Sequence, residues 1–211
     1  MKKTFVLVVL FILPIVAYLF FASGINNFGR LPTLTENVSD VSSIDANFAL
    51  KDKITILGFL GNDLETQKGN AFNLNQKIYK RFYEFNDFQF VMLVPKGNES
   101  KVAELKEELG NLTNMIKWNF VYANDKQIRD FFDTLETDLT LDENLATPYV
   151  FIIDKDRNLR GRTNDEDDGT KYGFNTRSVA ELNNKMEDDV KIILAEYRMA
   201  LKKNNANRKN Q

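Results

Sequence analysis

The order of apolar and amphipathic segments predicts an α/β fold with a mixed central sheet flanked by helices, preceded by an N-terminal transmembrane helix. Three observations predict it. Short apolar runs recur at Ile54–Leu60, Phe88–Val94, Lys117–Ala123 and Tyr149–Asp154, the pattern of strands buried on both faces. Stretches of helical periodicity separate them, so strands alternate with helices. An apolar run lies at the very N-terminus, behind Lys2 and Lys3.

That first run extends from Thr4 to Ala22 with Pro14 inside it. As a helix its 19 residues would span about 28 Å, against a bilayer hydrocarbon thickness of roughly 30 Å. Lysines before it favour a cytoplasmic N-terminus, residues 1–3, and place the remainder on the outer side. An anchor over 4–22 is expected, with an uncleaved or cleaved signal peptide as the competing reading. The run is long for a signal peptide's apolar core, and Phe20 spoils a small-residue cleavage site. Residues 23–47, with Gly29, Pro32 and many small polar residues, read as a tether. A domain over 48–203 and a polar tail over 204–211 complete the expected organisation.

Within the domain a short strand is expected near Phe48, then the central strand at Ile54–Leu60, broken by Gly61-Asn62-Asp63. Phe72, Ile78, Tyr79 and Phe82 fall near helical spacing. The second strand ends at Pro95-Lys96-Gly97; Asn98 is positioned to cap the next helix, and Gly110-Asn111 to stop it. After the third strand, Asn124 and Gln127 have the spacing of a capping box. The fourth strand turns through Lys155–Asn158 into Leu159–Thr163 as a hairpin. Ser178 and Glu181 mark a second capping box, before a stripe of Val179, Leu182, Met186, Val190, Ile193, Leu194, Tyr197 and Leu201 that predicts a long amphipathic helix.

Composition excludes several functions. The 211 residues carry a net charge of −2, with no cysteine and no histidine. A nucleic-acid binder normally presents a basic face, and none is indicated. No disulfide forms without cysteine, no thiolate attacks, and a Ser-His-Asp triad cannot be built.

Ala146-Thr147-Pro148-Tyr149-Val150-Phe151-Ile152-Ile153-Asp154 resembles the thioredoxin-superfamily segment in which a cis proline adjoins the active site. Lys117 to Asp125, with Trp118, resembles the tryptophan-containing strand of the Sco/SenC family, and Ile152-Ile153-Asp154 with Leu159-Arg160-Gly161 resembles that family's strand-turn-strand. The resemblance covers nearly the whole chain and implies a thioredoxin-like fold with a cis bond at Pro148. It also implies a copper and redox site made of two cysteines, spaced C-x-x-x-C after the first central strand, and a distant histidine. Family members deliver copper to, or reduce the thiols of, a cytochrome oxidase subunit. The cysteine positions fall here at Leu64 and Lys68 and the histidine position at about Ala146. Leucine and alanine offer no donor atom, and a lysine ammonium has no lone pair. The expectation is a degenerate member with no metal, cofactor or catalytic residues. It would be anchored as a single pass in a bacterial inner membrane, with its domain on the periplasmic side, and partnered by the membrane and by another envelope or membrane protein.

Two other groups of residues offer rival sites. Asp63, Glu65 and Lys68 stand where the family's site would be and offer polar groups for a non-thiol enzyme or small-ligand binder, although acidic residues also suit a helix N-terminus. The run Asn164-Asp165-Glu166-Asp167-Asp168-Gly169 resembles the start of a calcium loop, but Asn175 stands where the bidentate glutamate belongs; a solvated insertion is the expectation. Of the seventeen phenylalanines most suit the core, while Phe82, Tyr83, Phe85 and Phe88 are crowded enough to leave one or two exposed. A purely structural envelope protein is the third functional reading.

Overall fold

Each of the four apolar runs becomes a strand, and the four lie side by side in one sheet with the Lys117–Ala123 run at its edge. The computed structural model describes residues 10–18 and 29–209, the last nine of these by backbone alone. It comprises two compact units, Met1–Arg30 and Leu31–Gln211. In the first, residues 10–18 form a helix, α1, whose Leu10, Phe11, Leu13 and Ile15 are exposed. The anchor expected over 4–22 otherwise lies outside the described residues. Among the described residues no helix is long and apolar enough to cross a membrane.

The second unit opens with β1 (Thr33–Thr35) and a 3₁₀ turn at Val41–Ser43. There follow β2 (Ile54–Phe59), α2 (Leu64–Leu74), a π-helical turn at Asn75–Tyr79 and α3 (Lys80–Phe82). Next come β3 (Phe88–Pro95), α4 (Glu99–Gly110), β4 (Trp118–Ala123) and α5 (Asp125–Asp133). The chain continues through β5 (Tyr149–Ile153), β6 (Leu159–Arg160), β7 (Arg162–Asp165), β8 (Gly169–Lys171) and β9 (Phe174–Asn175). It closes with α6 (Val179–Glu181), a second π-helical turn at Leu182–Met186 and α7 (Glu187–Lys209).

The sheet runs β1-β6-β5-β2-β3-β4, with β9 paired to β5. Strands β2, β3 and β4 are parallel, and β5 lies antiparallel to β2. Ile56 thus sits between Phe90 of β3 and Ile152 of β5. Alternation divides the strands between two cores. Ile54, Ile56, Phe90, Met92, Trp118 and Ile152 face the helices α2–α3, α4 and α7. Leu57, Phe59, Val91, Leu93, Phe151 and Ile153 face α5 and the residues Val38, Val41 and Leu50. Both crossovers, β2 to β3 and β3 to β4, step in one direction along the sheet. Right-handed connections therefore place their helices on the same face. The result is a thioredoxin-like α/β fold with a mixed central sheet.

Several local expectations change. No strand forms at Phe48; the first one is β1, inside the stretch expected as tether, because Leu31, Val38 and Val41 are buried and Thr33 pairs with Arg160. The domain therefore starts at Leu31. The Asn124–Gln127 capping box forms in full. Ser178 accepts from the Glu181 N–H, but the Glu181 carboxylate accepts from the Asn175 N–H and pairs with Lys171, so that box is only half made. The acidic run is not wholly solvated either. It turns the β7–β8 hairpin, where buried Asp165 accepts from the N–H groups of Asp167 and Asp168 and takes the Lys185 ammonium at 2.5 Å.

Candidate functional site

The site that the resemblance implies falls at the carboxyl end of β2, where the chain leaves the sheet through Leu60-Gly61-Asn62-Asp63 into α2. Here that end is closed by backbone. Leu60 and Ala146 form an isolated antiparallel bridge, and the Asn62 N–H donates to the Asn144 carbonyl at 2.9 Å. Gly61 has φ +66°, and a Cβ on it would lie 2.5 Å from the Asn144 oxygen and 2.7 Å from the Ala146 Cβ. Glycine is required there twice over, by conformation and by the close approach. Asp142 fixes the facing loop by accepting from the N–H groups of Asn144 and Ala146 at 2.9 and 2.8 Å.

The positions expected for lost ligands fall at this end. Leu64 is the first residue of α2 and is buried in the core with Leu60. Ala146 is buried against Leu60. Lys68, one turn further along α2, holds Glu108 of α4 at 2.5 Å. The hydrogen bond to Glu108 raises the pKa of its ammonium, which moves it further from the lone-pair form a metal requires. These three residues do not fit a copper ion.

The expectation of a cis bond at Pro148 is corrected: the described residues contain no cis peptide. The trans form is the intrinsic preference even before proline, by about 0.5–1 kcal/mol. Neighbouring hydrogen bonds are satisfied in that form. The Thr147 N–H donates to the Phe59 carbonyl at 3.2 Å, and the Pro148 carbonyl accepts from the Thr176 N–H and hydroxyl at 2.9 and 2.7 Å.

Asp63, Glu65 and Lys68 do not converge. Asp63 caps α2, and hydrogen bonds from Thr66 hold its carboxyl below the usual carboxylate range. Glu65 is exposed in the first helical turn, and Lys68 is engaged by Glu108. The cavity beneath the loop holds about 20 Å³ and is lined by Gln67, Asn70, Trp118, Thr147 and Thr176 among apolar neighbours, not by those three. That volume accommodates about one water molecule.

Sequence reasoning missed the residues that seal this end. Asn98 stands at the N-cap of α4 as expected, but its side chain makes no capping hydrogen bond; its amide instead donates to Asn62 Oδ1 and the Pro95 carbonyl, both at 3.1 Å. Gln67 and Asn70 are buried and bonded to each other at 2.7 Å. Their signal was present in the sequence, as polar residues on the core face between Leu64 and Leu74.

No protein-family model matches the chain, and no curated protein matches it. Solved structures do. A SCO1/SenC family lipoprotein from Bacillus anthracis shares 16% identity, covering 80% of this chain and 96% of that one, with a TM-score of 0.46. A copper-bound ScoI from Arabidopsis thaliana shares 15% over 67% of this chain and 86% of that one, at 0.42. A thiol:disulfide interchange protein of the thioredoxin family from Chlorobium tepidum shares 18% over 79% and 98%, at 0.44. The chain is a cysteine-free α/β protein of thioredoxin-like topology, and its structural neighbours include Sco/SenC proteins.

Proposed function

We propose that this is a membrane-anchored, outward-facing, Sco-like thioredoxin-fold module that binds and helps to assemble another envelope or membrane protein. It does so without metal or thiol redox chemistry and is not an enzyme. The observation that carries the reading is the closure at Gly61: the end of the sheet that would hold reactive groups is filled by Leu60, Leu64, Asn144 and Ala146 in direct packing and hydrogen bonding. A scaffold kept intact while its reactive end is filled with apolar side chains and backbone suits a binding role. Function follows the site rather than the fold.

Titration of the full chain with Cu(I) and Cu(II) tests the metal half of the proposal; tight one-to-one binding overturns it. Cross-linking in native membranes tests the other half. A reproducible protein adduct at defined domain residues is expected, whereas a purely structural envelope protein gives none.

A further inference from the structure

The opposite end of the sheet, where β2 and β3 begin, has a different surface. A hollow of about 230 Å³ opens there, lined by Phe85, Leu194, Tyr197, Asp87, Lys155 and Arg198 among others. Phe85, in the turn between α3 and β3, is 45% exposed, and Met199 on α7 is 39% exposed. Charges of both signs border the hollow: Lys155, Arg198 and Asp87 line it. Near Tyr197 lie Asp154, Asp156 and Glu196, paired with Arg160, Lys51 and Arg160 respectively. The Lys117 ammonium donates to the Phe85 carbonyl, and burial followed by the nearby charge of Lys53 lowers its pKa. Lys155 pairs with Asp87 and sits 5.5 Å from the Tyr197 ring centroid. Of the acids near Phe85, Asp87 is thereby neutralised, and Glu84 is exposed on the same turn. From Tyr197 to Gln211 the sequence contains Arg198, Lys202, Lys203, Arg208 and Lys209 and no acidic residue.

The entry point of the domain lies beside this surface. Arg160 donates to the Leu31 carbonyl at 2.8 Å and to Glu196 at 2.8 Å, and Glu196 immediately precedes Tyr197. Residues 23–30 separate Leu31 from the apolar run and span at most about 29 Å when extended.

We propose that this end of the domain, with Phe85 and Tyr197 at the hollow beside Lys155 and Arg198, Lys117 bound to the Phe85 carbonyl, and a sequence after Glu196 whose only charged residues are basic, docks on the surface of an anionic phospholipid bilayer. Exposed aromatic and aliphatic groups enter the headgroup boundary while basic side chains attract anionic lipids, the combination that interfacial elements use. Docking of this end directs the Gly61 end away from the membrane. The inference rests on the anchor reading proposed above, so the test separates the two.

The chain has no cysteine, so a single label can be placed cleanly. Full-length Met199→Cys and, at the other end, Glu65→Cys carry an environment-sensitive dye. Each is reconstituted with vesicles of phosphatidylcholine alone or mixed with phosphatidylglycerol, containing headgroup nitroxide lipids. Several-fold stronger quenching at 199 than at 65 is expected in phosphatidylglycerol vesicles. It should disappear in 1 M salt, where the Debye length is about 3 Å, and in the Arg198→Glu/Lys202→Glu/Lys203→Glu variant. Equal quenching at the two positions, or no dependence on lipid charge, overturns docking. Flotation reads the anchor separately. Salt-resistant flotation with both lipids supports it. Salt-sensitive flotation with phosphatidylglycerol alone leaves docking standing and removes the anchor, and no flotation with either lipid removes both.

Discussion

Arg160 and Asp154 form a buried ion pair, with the guanidinium Nη1 2.9 Å from Asp154 Oδ2 and side chains 7% and 2% exposed. The same Asp154 orders the β5–β6 turn by accepting from the N–H groups of Asp156 and Asn158, each at 2.9 Å. The same Arg160 reaches the Leu31 carbonyl and Glu196. One pair therefore ties the entry of the chain, the antiparallel half of the sheet and the last helix together. Removing one partner of a buried pair strands the other's charge, at a cost of about 3–5 kcal/mol. Arg160→Met is expected to lose that much in denaturant unfolding. Arg160→Lys should recover only part, since an ammonium lacks the planar fork. A loss below about 1 kcal/mol, the level of an exposed pair, would show that the pair does not hold these elements together.

Asn75 should be the opposite case. It is fully buried in the π-helical turn, and neither its side-chain oxygen nor its nitrogen has a partner among the described residues. An unsatisfied buried amide costs about 1–3 kcal/mol, so Asn75→Leu is expected to stabilise the domain by up to that amount and to raise its Tm. A Tm lower than that of the parent would contradict this account.

Gly61→Ala tests the closure of the site. A left-handed alanine costs about 1–2 kcal/mol by itself, and here the new methyl also meets the Asn144 carbonyl and Ala146. Gly169 has a similar φ, +69°, with open space around it, and Gly169→Ala isolates the backbone cost. Equilibrium unfolding should show the larger loss at 61. Equal losses would mean that the loop yields freely.

Acid should weaken the hold of the β7–β8 hairpin on the π-helical turn Leu182–Met186. Burial pushes the Asp165 carboxyl up, but hydrogen bonds from Lys185 and the Asp167 N–H outweigh it and leave the pKa lowered. A lowered carboxylate contributes stability above its unfolded value of about 3.9 and loses it as pH falls through the folded value. Lys185, raised well above its usual value by Asp165 and then Asp167, keeps its charge until pH passes that raised value. The stability gap between the parent and Lys185→Met is therefore expected at neutral pH and should shrink below about pH 4. A gap that stays constant down to pH 2 would exclude this linkage.

Much of the fold was legible because burial on both faces leaves a sequence signature. The runs at Ile54, Phe88, Lys117 and Tyr149 became β2, β3, β4 and β5 in order, and the Asn124–Gln127 box formed as spaced. Asn98, Glu181 and the Thr147–Pro148 peptide departed from local expectation for one shared reason. Each group found a partner far away in sequence or in the next loop: Asn62 for Asn98, Lys171 for Glu181, Phe59 and Thr176 around Thr147 and Pro148. Local propensity sees only near neighbours, and tertiary partners override it. The π-helical turns at Asn75 and Leu182 meet each other in the fold, a pairing of segments about a hundred residues apart that local periodicity does not signal.

By itself the sequence determined what this protein lacks and where. No thiolate and no imidazole exist anywhere in the chain, and the resemblance implies Leu64, Lys68 and Ala146 at the positions of the family's ligands. Only the tertiary structure decided what fills that end of the sheet. A backbone bridge, a left-handed glycine and an asparagine drawn from the next loop close the end of the sheet. Residue types set the available chemistry one position at a time, but closure depends on distances between segments some eighty residues apart in the chain, Gly61 and Asn144, which only folding brings together.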